Sequence, residues 1–274
     1  MAGRTAVGIY VDAANIRMNG GYRMQYDVLR EFACHDGAEP IRLNTYVAYD
    51  EQRAQRDSTY KSRTNKYFST LRDYGFKVIV KIVKFYTDED GSRFAKANAD
   101  LDMAVDTLLQ SESLERVLLA TGDGDFVQVV RALQNKGCRV EVLAFDNVSS
   151  DLKREADVFI SGYLVPGLLR MEDNTQPWGE IGSRVRGTCY HYDQDRDFGF
   201  FRFLKDVSGS FWITDSRRPD SPYDSAFVHG TNMPGGTKHL LPSHEHIFEF
   251  DLAEGRNDET SSQATNVELV YPSR

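Results

Sequence analysis

The chain has 274 residues, of which 41% are hydrophobic and 27% are charged, and this composition excludes a disordered, collagen-like or coiled-coil protein. The chain has 33 Lys and Arg against 41 Asp and Glu, which gives a formal net charge of -8. This overall negative charge argues against a nucleic-acid partner. No segment approaches the roughly 20 apolar residues of a membrane span, and three widely spaced cysteines predict neither a disulfide framework nor a CxxC metal site. We therefore expect a cytoplasmic protein.

The first part of the chain alternates short β-rich segments with helical patterns, which predicts an α/β domain with a parallel sheet. Strands are expected at Ala6–Val11, Arg42–Tyr49, Lys77–Lys84, Arg116–Ala120, Arg139–Ala144 and Asp157–Ile160. Helices are expected at Tyr26–Ala33, Ser58–Tyr74, Ala99–Gln110, Phe126–Asn135 and Ser150–Glu155. Gly75 and Gly137 follow two of these helices, where a left-handed residue is favoured.

The sequence changes character after residue 170. Residues 171–182 are polar, contain Pro and Gly, and are typical of a linker. Five short alternating segments then predict a small all-β barrel in residues 183–274, at Arg184–Tyr192, Phe198–Leu204, Ser225–His229, His246–Leu252 and Asn266–Tyr271. Residues 1–170 hold 23 basic and 24 acidic side chains, whereas residues 171–274 hold 10 and 17, so the acidity lies mostly in the second domain.

Acidic side chains follow two strands of the predicted sheet. Asp12 ends the first strand in VDAAN, with Asn15 one helical turn further on, and Asp123 and Asp125 follow another strand in ATGDGDF. Asp100 opens a helix. Ligands of parallel α/β sheets bind outside the carboxyl ends of the strands, and carboxylates that converge there need a cation such as Mg²⁺ or Mn²⁺. We therefore expect Asp12, Asp100 and Asp123 to hold a metal ion that serves phosphodiester hydrolysis.

Each acid also has a structural interpretation. An aspartate at a strand-to-helix junction is a favoured N-cap, so Asp100 or Asp125 alone is consistent with a capping role. Asp102 and Asp106 are expected on an exposed helix face, because the apolar stripe of their helix is predicted to be Leu101, Ala104, Val105 and Leu108.

The ordered motifs VDAAN, ADLDMAVD, ATGDGDF and SSDLKREADVFI closely resemble the NYN family of PIN-like nucleases, in particular its LabA-like bacterial branch. The resemblance covers about residues 5–165. It implies a PIN-like three-layer α/β/α fold and Mg²⁺- or Mn²⁺-dependent endoribonuclease activity. By motif it implies an acidic set of Asp12, Asp100, Asp123 and Asp125, supported by Asn15 and the Thr121–Gly122 turn. Lys96, in KANAD, resembles the basic residue that often precedes the central aspartate of the family, at a spacing one residue longer.

A basic segment is the first candidate for contact with RNA. Between residues 53 and 66 five basic side chains are interleaved with Tyr60, and three further lysines recur along a strand. A local basic stripe can bind phosphates on an acidic protein; the alternative is a solvated helix face with salt bridges. The basic residues are Arg53, Arg56, Lys61, Arg63 and Lys66, and the strand lysines are Lys77, Lys81 and Lys84.

Aromatic side chains of the second domain are the other candidate. Phe198, Phe200, Phe227 and His229 lie on adjacent predicted strands, and the period of two places Phe198 and Phe200 on one side of the barrel wall. Exposed rings of this kind stack on bases, although aromatic alternation is more often barrel packing. Phe201 and Phe203 should face the core.

The order and spacing from Gly187 onward resemble a cold-shock domain, which is a nucleic-acid-binding OB-fold barrel. The resemblance rests on FGF, FVH and the final segment EGRNDETSSQATNVELV. Three positions depart from that family: His191 replaces a usual Trp, Asp197 a usual Gly, and Gly230 a common aromatic residue. The loop of residues 205–224 is also longer than usual.

Together these features predict a metal-dependent endoribonuclease acting on single-stranded RNA, in which Asp125 is a metal ligand or orients the attacking water and Asn15 hydrogen-bonds a ligand or phosphate oxygen. The expected products carry a 5′-phosphate and a 3′-hydroxyl. Two alternatives remain open: a non-catalytic RNA-binding regulator that retains the pocket, and a phosphatase of small esters, although no DxD motif follows the first strand. A homodimer is also consistent with the sequence.

Overall fold

Two units make up the fold of the computed structural model, which describes residues 4–87, 90, 93–96, 98–171, 176–255 and 262–272. The first unit is Met1–Ile160 and the second is Ser161–Arg274. Because residues 172–175 of the expected linker lie outside the described residues, the domain limits drawn at residues 170 and 183 stay a prediction.

The first unit alternates strands and helices. Its strands are β1 (Ala6–Asp12), β2 (Glu39–Tyr49), β3 (Lys77–Ile82), β4 (Lys84–Thr87), β5 (Arg93–Lys96), β6 (Arg116–Ala120), β7 (Arg139–Ala144) and β8 (Val158–Ser161). Its helices are α1 (Ala13–Met18), α2 (Tyr26–Ala33), α3 (Glu51–Arg56), α4 (Ser58–Asp73), α5 (Ala99–Gln110), α6 (Val127–Asn135) and α7 (Ser150–Glu155). Gly75 and Gly137 adopt φ angles of 92° and 88°, which confirms the expected left-handed residues.

Six strands form one sheet in the order β3-β2-β1-β6-β7-β8. The pairings of β1 with β2 and β6, of β2 with β3 and of β6 with β7 are parallel. The central strands β1 and β6 are almost wholly buried, as is usual when helices cover both faces of a parallel sheet. The chain order reverses between β1 and β6, so the crevice at their carboxyl ends is the topological switch point of the sheet.

Helices α5 and α6 pack on one face of the sheet through Met103, Val130 and Leu133, against Tyr10 and Leu119 among others.

Among the described residues, no helix is long and apolar enough to cross a bilayer.

A buried ionic cluster lies on β6 and β7. Glu141 is 1% exposed, and its carboxylate is 3.3 Å from His35 Nε2 and 2.9 Å from Arg139 Nε. Arg116, 7% exposed, places Nε 3.6 Å from the same carboxylate. Burial alone would raise the pKa of Glu141, but the hydrogen bond from His35 and the nearby arginines hold that pKa below its ordinary value.

The second unit is a closed barrel of β9 (Arg184–Asp193), β10 (Phe198–Leu204), β11 (Tyr223–His229), β12 (Ser243–Glu254) and β13 (Ser262–Tyr271). The strand order is β10-β11-β13-β12-β9, and β11 pairs parallel to β13. Its core holds Phe201 and Phe203, and the ring of Phe201 stacks on Phe250 at 4.7 Å. The expected architecture, a PIN-like α/β domain followed by a small five-stranded barrel, is confirmed.

Candidate active site

Asp12 ends β1 and caps α1. Its Oδ1 accepts hydrogen bonds from the backbone N of Ala14 at 3.1 Å and of Asn15 at 2.9 Å, and the residue is only 8% exposed. Burial raises the pKa of Asp12; the two backbone bonds oppose this, and the charges of Asp123 and Asp100 raise it further. Asp12 is therefore a destabilised anion, with two other carboxylates close enough to act on its charge.

Asn15 ties together the loops that carry these acids. Its Oδ1 accepts a hydrogen bond from Gly122 N at 2.9 Å, so the start of α1 is joined to the loop after β6. A Cβ at Gly122 would lie 3.3 Å from Val148 Cα, which leaves little room for a side chain in this turn. The sequence predicts that Asn15 hydrogen-bonds a ligand or phosphate oxygen; the structure commits its Oδ1 to the backbone and leaves Nδ2 for that role.

Asp123 and Asp125 lie in the same turn. Asp123 caps the short helix Gly124–Phe126, and its Oδ1 accepts from Asp125 N at 3.0 Å. Thr121 Oγ1 accepts from Asp123 N at 3.2 Å. Asp125 is exposed, as is Asp100 in the first turn of α5. The charges of Asp12, Asp100 and Asp123 thus interact, whereas the roles of all four acids stay predictions.

The donor set suits a hard cation that keeps part of its water shell. Within the described ranges, no three His, Cys, Asp or Glu side chains lie close enough to hold one ion together. Mg²⁺ usually takes only one or two carboxylates and retains several waters. Both backbone bonds to Asp12 end on Oδ1, so Oδ2 is the oxygen that remains to bind such an ion. The residues present therefore fit a hydrated Mg²⁺ or Mn²⁺.

The buried face of α5 differs from the one expected. Leu101 and Val105 are 58% and 47% exposed, while Met103 and Thr107 are fully buried. The expectation of an exposed face is wrong for Asp106, whereas the side chain of Asp102 is 35% exposed. Tyr46 is completely buried in β2 and its Oη donates to Asp106 Oδ2 at 2.9 Å, so this hydroxyl requires an acceptor on the inner face of the helix. Asp102 pairs with Lys81 Nζ at 2.5 Å.

The predicted basic residues divide into two groups. Arg53 and Arg63 line a cavity of about 780 Å³ that also contacts Ala13 and Ala14, the two residues after Asp12. Other basic side chains are exposed away from this lining, namely Arg56, Lys61, Lys66, Lys77 and Lys84. Lys81 is engaged by Asp102, and the side chain of Lys96 lies outside the described residues.

The aromatic face of the barrel, which we define as Phe198, Phe200 and Phe227, forms one cluster. Phe198 and Phe227 stack at 5.8 Å, and Phe200 meets both rings edge to face. All three are half-buried, whereas Phe201 and Phe203 enter the core as expected. His191, which stands in place of the usual Trp, adds a ring 6.1 Å from Phe200. His229 is exposed and its Nδ1 accepts from Thr231 N.

Two departures from the cold-shock pattern are linked in space. Asp197, at a φ of 55°, forms ion pairs with Lys238 Nζ at 2.7 Å. Its carboxylate fills the space beside Gly230, where a Cβ would lie 2.0 Å from Asp197 Oδ1. An aromatic residue at position 230 is therefore incompatible with Asp197 in this position.

Sequence reasoning missed the remaining wall of the cavity. Arg17, Tyr22 and Arg23 lie on α1 and in the segment after it, which lacks any periodic pattern. The local cluster of Arg and Tyr in 17–23 was the available signal, and only the fold shows that it faces α4.

A family model described as the NYN domain matches residues 6–169. The low amplitude and bright protein LabA from Synechococcus elongatus is 24% identical over 179 residues, which cover 63% of this chain and 91% of that protein. A crystal structure of a protein of unknown function from Vibrio parahaemolyticus is 24% identical, with a TM-score of 0.47, over 59% of this chain and 94% of that one. The family match spans Asp12, Asp100 and Asp123, and it leaves the barrel outside.

Proposed function

The chain belongs to the NYN-domain family of the PIN-like nuclease superfamily, and on this premise we propose that it is a cytoplasmic, metal-dependent endoribonuclease that cleaves single-stranded RNA. The observation that carries the proposal is the buried Asp12, whose charge is opposed by Asp100 and Asp123 at the switch point of the sheet. Such an arrangement is costly without a ligand and is typical of a functional site.

Asp12, Asp100 and Asp123 would hold Mg²⁺ or Mn²⁺, with one or two of these carboxylates binding the ion directly and the rest binding its water molecules. When bound, the ion would supply Lewis-acid stabilisation of charge at the scissile phosphate and lower the pKa of an attacking water. Asn15 positions the two acid-bearing loops through Gly122 and offers Nδ2 to a phosphate oxygen. Asp125, which is exposed, would bind the ion or orient the attacking water. Hydrolysis would leave a 5′-phosphate and a 3′-hydroxyl.

The barrel would hold the RNA as a cold-shock-like domain. The support for this role is the aromatic face, whose three clustered rings offer a platform for bases. Residues 183–274 carry 14 acidic against 10 basic residues, so stacking rather than charge must supply most of the affinity of the barrel.

A cleavage assay with matched variants tests the proposal. Purified protein is incubated with labelled single-stranded RNA and Mn²⁺, with EDTA as the metal-free control. We expect cleavage that Asp12→Asn and Asp123→Asn abolish and that Asp100→Asn strongly reduces. Asp102→Asn removes a carboxylate from the same helix and should leave cleavage near wild type, because Asp102 is paired with Lys81. Cleavage that persists in Asp12→Asn, or that needs no metal, would contradict the assigned site.

The second candidate is an RNA-binding regulator without turnover. It is favoured by the absence, within the described ranges, of three ligands grouped closely enough for one ion. RNA binding without Mn²⁺-dependent cleavage over a panel of RNAs would support it over the nuclease.

A further inference from the structure

One cavity of the first unit concentrates positive charge beside the acidic site. Its volume of about 780 Å³ lies within the range of small-ligand pockets. Its walls come from α1 and the segment after it, the end of β2, and helices α3 and α4. Ala13 and Ala14 belong to the lining and directly follow Asp12 in the chain, so the start of α1 links the cavity wall to this acid.

The charge of this lining is opposite to that of the whole chain. Arg17, Arg23, Arg53 and Arg63 line the cavity, and Asp57 is the one carboxylate among the lining residues. Arg53 Nε lies 3.6 Å from Asp57. The other three guanidinium groups form no ion pair with a carboxylate in the part of the chain that the structure describes. On a protein with a net charge of -8, this group of cations points to an anionic ligand.

The lining also presents tyrosine rings between these cations. Tyr22 is 59% exposed, and the guanidinium carbons of Arg17 and Arg23 lie 5.7 and 5.4 Å from its ring centroid. The Arg53 guanidinium lies 4.5 Å from the ring centroid of Tyr60. Planar groups of both kinds stack on nucleobases, and guanidinium groups also bind phosphates. An inorganic anion would need the arginines alone.

We propose that this cavity is a nucleotide pocket that receives one unstacked base of single-stranded RNA on Tyr22, with the adjoining phosphates on Arg17, Arg23 and Arg63. The inference rests on the proposed function for its ligand class and adds the selection of single strands. A paired base lies inside the duplex stack and cannot enter a pocket lined by rings. The strand would then continue from this pocket past Ala13 toward Asp12.

Binding without cleavage tests the pocket separately from the nuclease activity. A labelled single-stranded hexaribonucleotide is titrated with the full chain in EDTA, and its anisotropy is measured. Tyr22→Ala should weaken binding about tenfold, and Tyr22→Phe, which keeps the ring, should bind as wild type does. Arg63→Ala should weaken binding several-fold and lower the salt slope by about one. Arg72→Ala is the matched control, because Arg72 is an exposed arginine of the same helix outside the lining.

Two further measurements distinguish the pocket from the barrel and from a simple anion site. The series is repeated in a Phe200→Ala background, so that RNA held by the barrel does not mask the pocket, and with a duplex of the same sequence. The proposal is overturned if Tyr22→Ala leaves the affinity for the hexamer unchanged in both backgrounds. It is also overturned if Tyr22→Ala weakens duplex and single-strand binding equally. Displacement of the hexamer by inorganic pyrophosphate together with a neutral Tyr22→Ala would indicate a simple anion site and would also overturn it.

These results are independent of catalysis. If Tyr22 and Arg63 matter for binding but no Mn²⁺-dependent cleavage is found, the pocket stands and the nuclease proposal fails. If the wild type cleaves RNA and Tyr22→Ala changes neither binding nor KM, the pocket fails and the nuclease proposal stands.

Discussion

Replacing Asp12 by Asn should stabilise the protein while abolishing its activity. Asp12 is 8% exposed, and its pKa is raised by burial, with a further contribution from the charges of Asp123 and Asp100. The amide oxygen of Asn can accept the same backbone bonds from Ala14 and Asn15, so the variant keeps the cap of α1 and loses only the charge.

The expected change combines relief of the buried charge with the fate of the helix cap. Relief of the cost of burying this charge beside two other carboxylates is on the order of 1 kcal/mol. Loss of an N-cap costs about 1 kcal/mol, which only Asp12→Ala incurs. In EDTA at pH 7.5 the free energy of unfolding should therefore rise by about 1 kcal/mol in Asp12→Asn and stay near wild type in Asp12→Ala. For a unit of this size the gain corresponds to a rise in Tm of about 2–4 °C.

The gain should depend on pH in a defined direction. A carboxyl group whose pKa is higher in the folded than in the unfolded state destabilises the fold when it is ionised. The free energy of unfolding of the wild type should therefore fall as pH rises from the unfolded pKa of Asp12 through its raised folded pKa. The difference between Asp12→Asn and wild type should accordingly be full above the raised folded pKa and vanish near pH 4 or below.

Thermal unfolding measured by circular dichroism, in EDTA and in Mn²⁺, provides the assay. Mn²⁺ at 100 times its Kd should stabilise the wild type by about 2.7 kcal/mol and Asp12→Asn by much less. The reasoning is refuted if Asp12→Asn has a lower Tm than wild type in EDTA at pH 7.5, or if its advantage does not change with pH.

Other predictions concern the ionic cluster, the joined loops and the barrel. Glu141→Gln removes the buried carboxylate that pairs with Arg116 and Arg139 and should lower the free energy of unfolding by about 3 kcal/mol. The exposed control Glu112→Gln should change it by less than about 0.5 kcal/mol, measured by urea denaturation. Because the folded pKa of Glu141 is low, its contribution should disappear as pH falls through that pKa. Asn15→Ala breaks the bond to Gly122 and removes the Nδ2 group offered to a phosphate oxygen, so kcat/KM for RNA cleavage should fall on the order of tenfold to a hundredfold; cleavage at the wild-type rate would contradict both roles. Phe200→Ala should weaken single-strand binding by about 1–3 kcal/mol in anisotropy titrations, and unchanged affinity would assign the aromatic face to packing.

The fold could be predicted where one physical signal dominated. Buried parallel strands read as continuous apolar segments, and β6 and β7 begin and end at the expected residues. Helices α1, α3 and α7 have six residues each, fewer than two turns, so periodicity is a weak signal for them; the sequence predicts α7, and it predicts neither α1 nor α3. On α5 both faces carry apolar residues at helical spacing, and the structure buries the face of Met103 and Thr107, next to which Asp106 accepts the hydroxyl of Tyr46.

Part of the candidate site could also be predicted from the sequence. Asp12 and Asp123 could be found because each follows a strand, and the sheet order brings adjacent strand ends together. The bond from Gly122 N to Asn15 and the facing of Tyr22 toward α4 join residues distant in sequence, which no local pattern encodes.

The acids and the cavity walls come from different parts of the first unit. The acids lie at the ends of β1 and β6 and at the start of α5. Most of the residues that line the cavity lie on α3, on α4 and in the segment after α1. Mutations in those outer walls can accumulate without moving the carboxylates. Under the proposed function, related chains could diverge in the RNAs that they select while they keep the same acids, and exchange of these walls between them would alter selectivity.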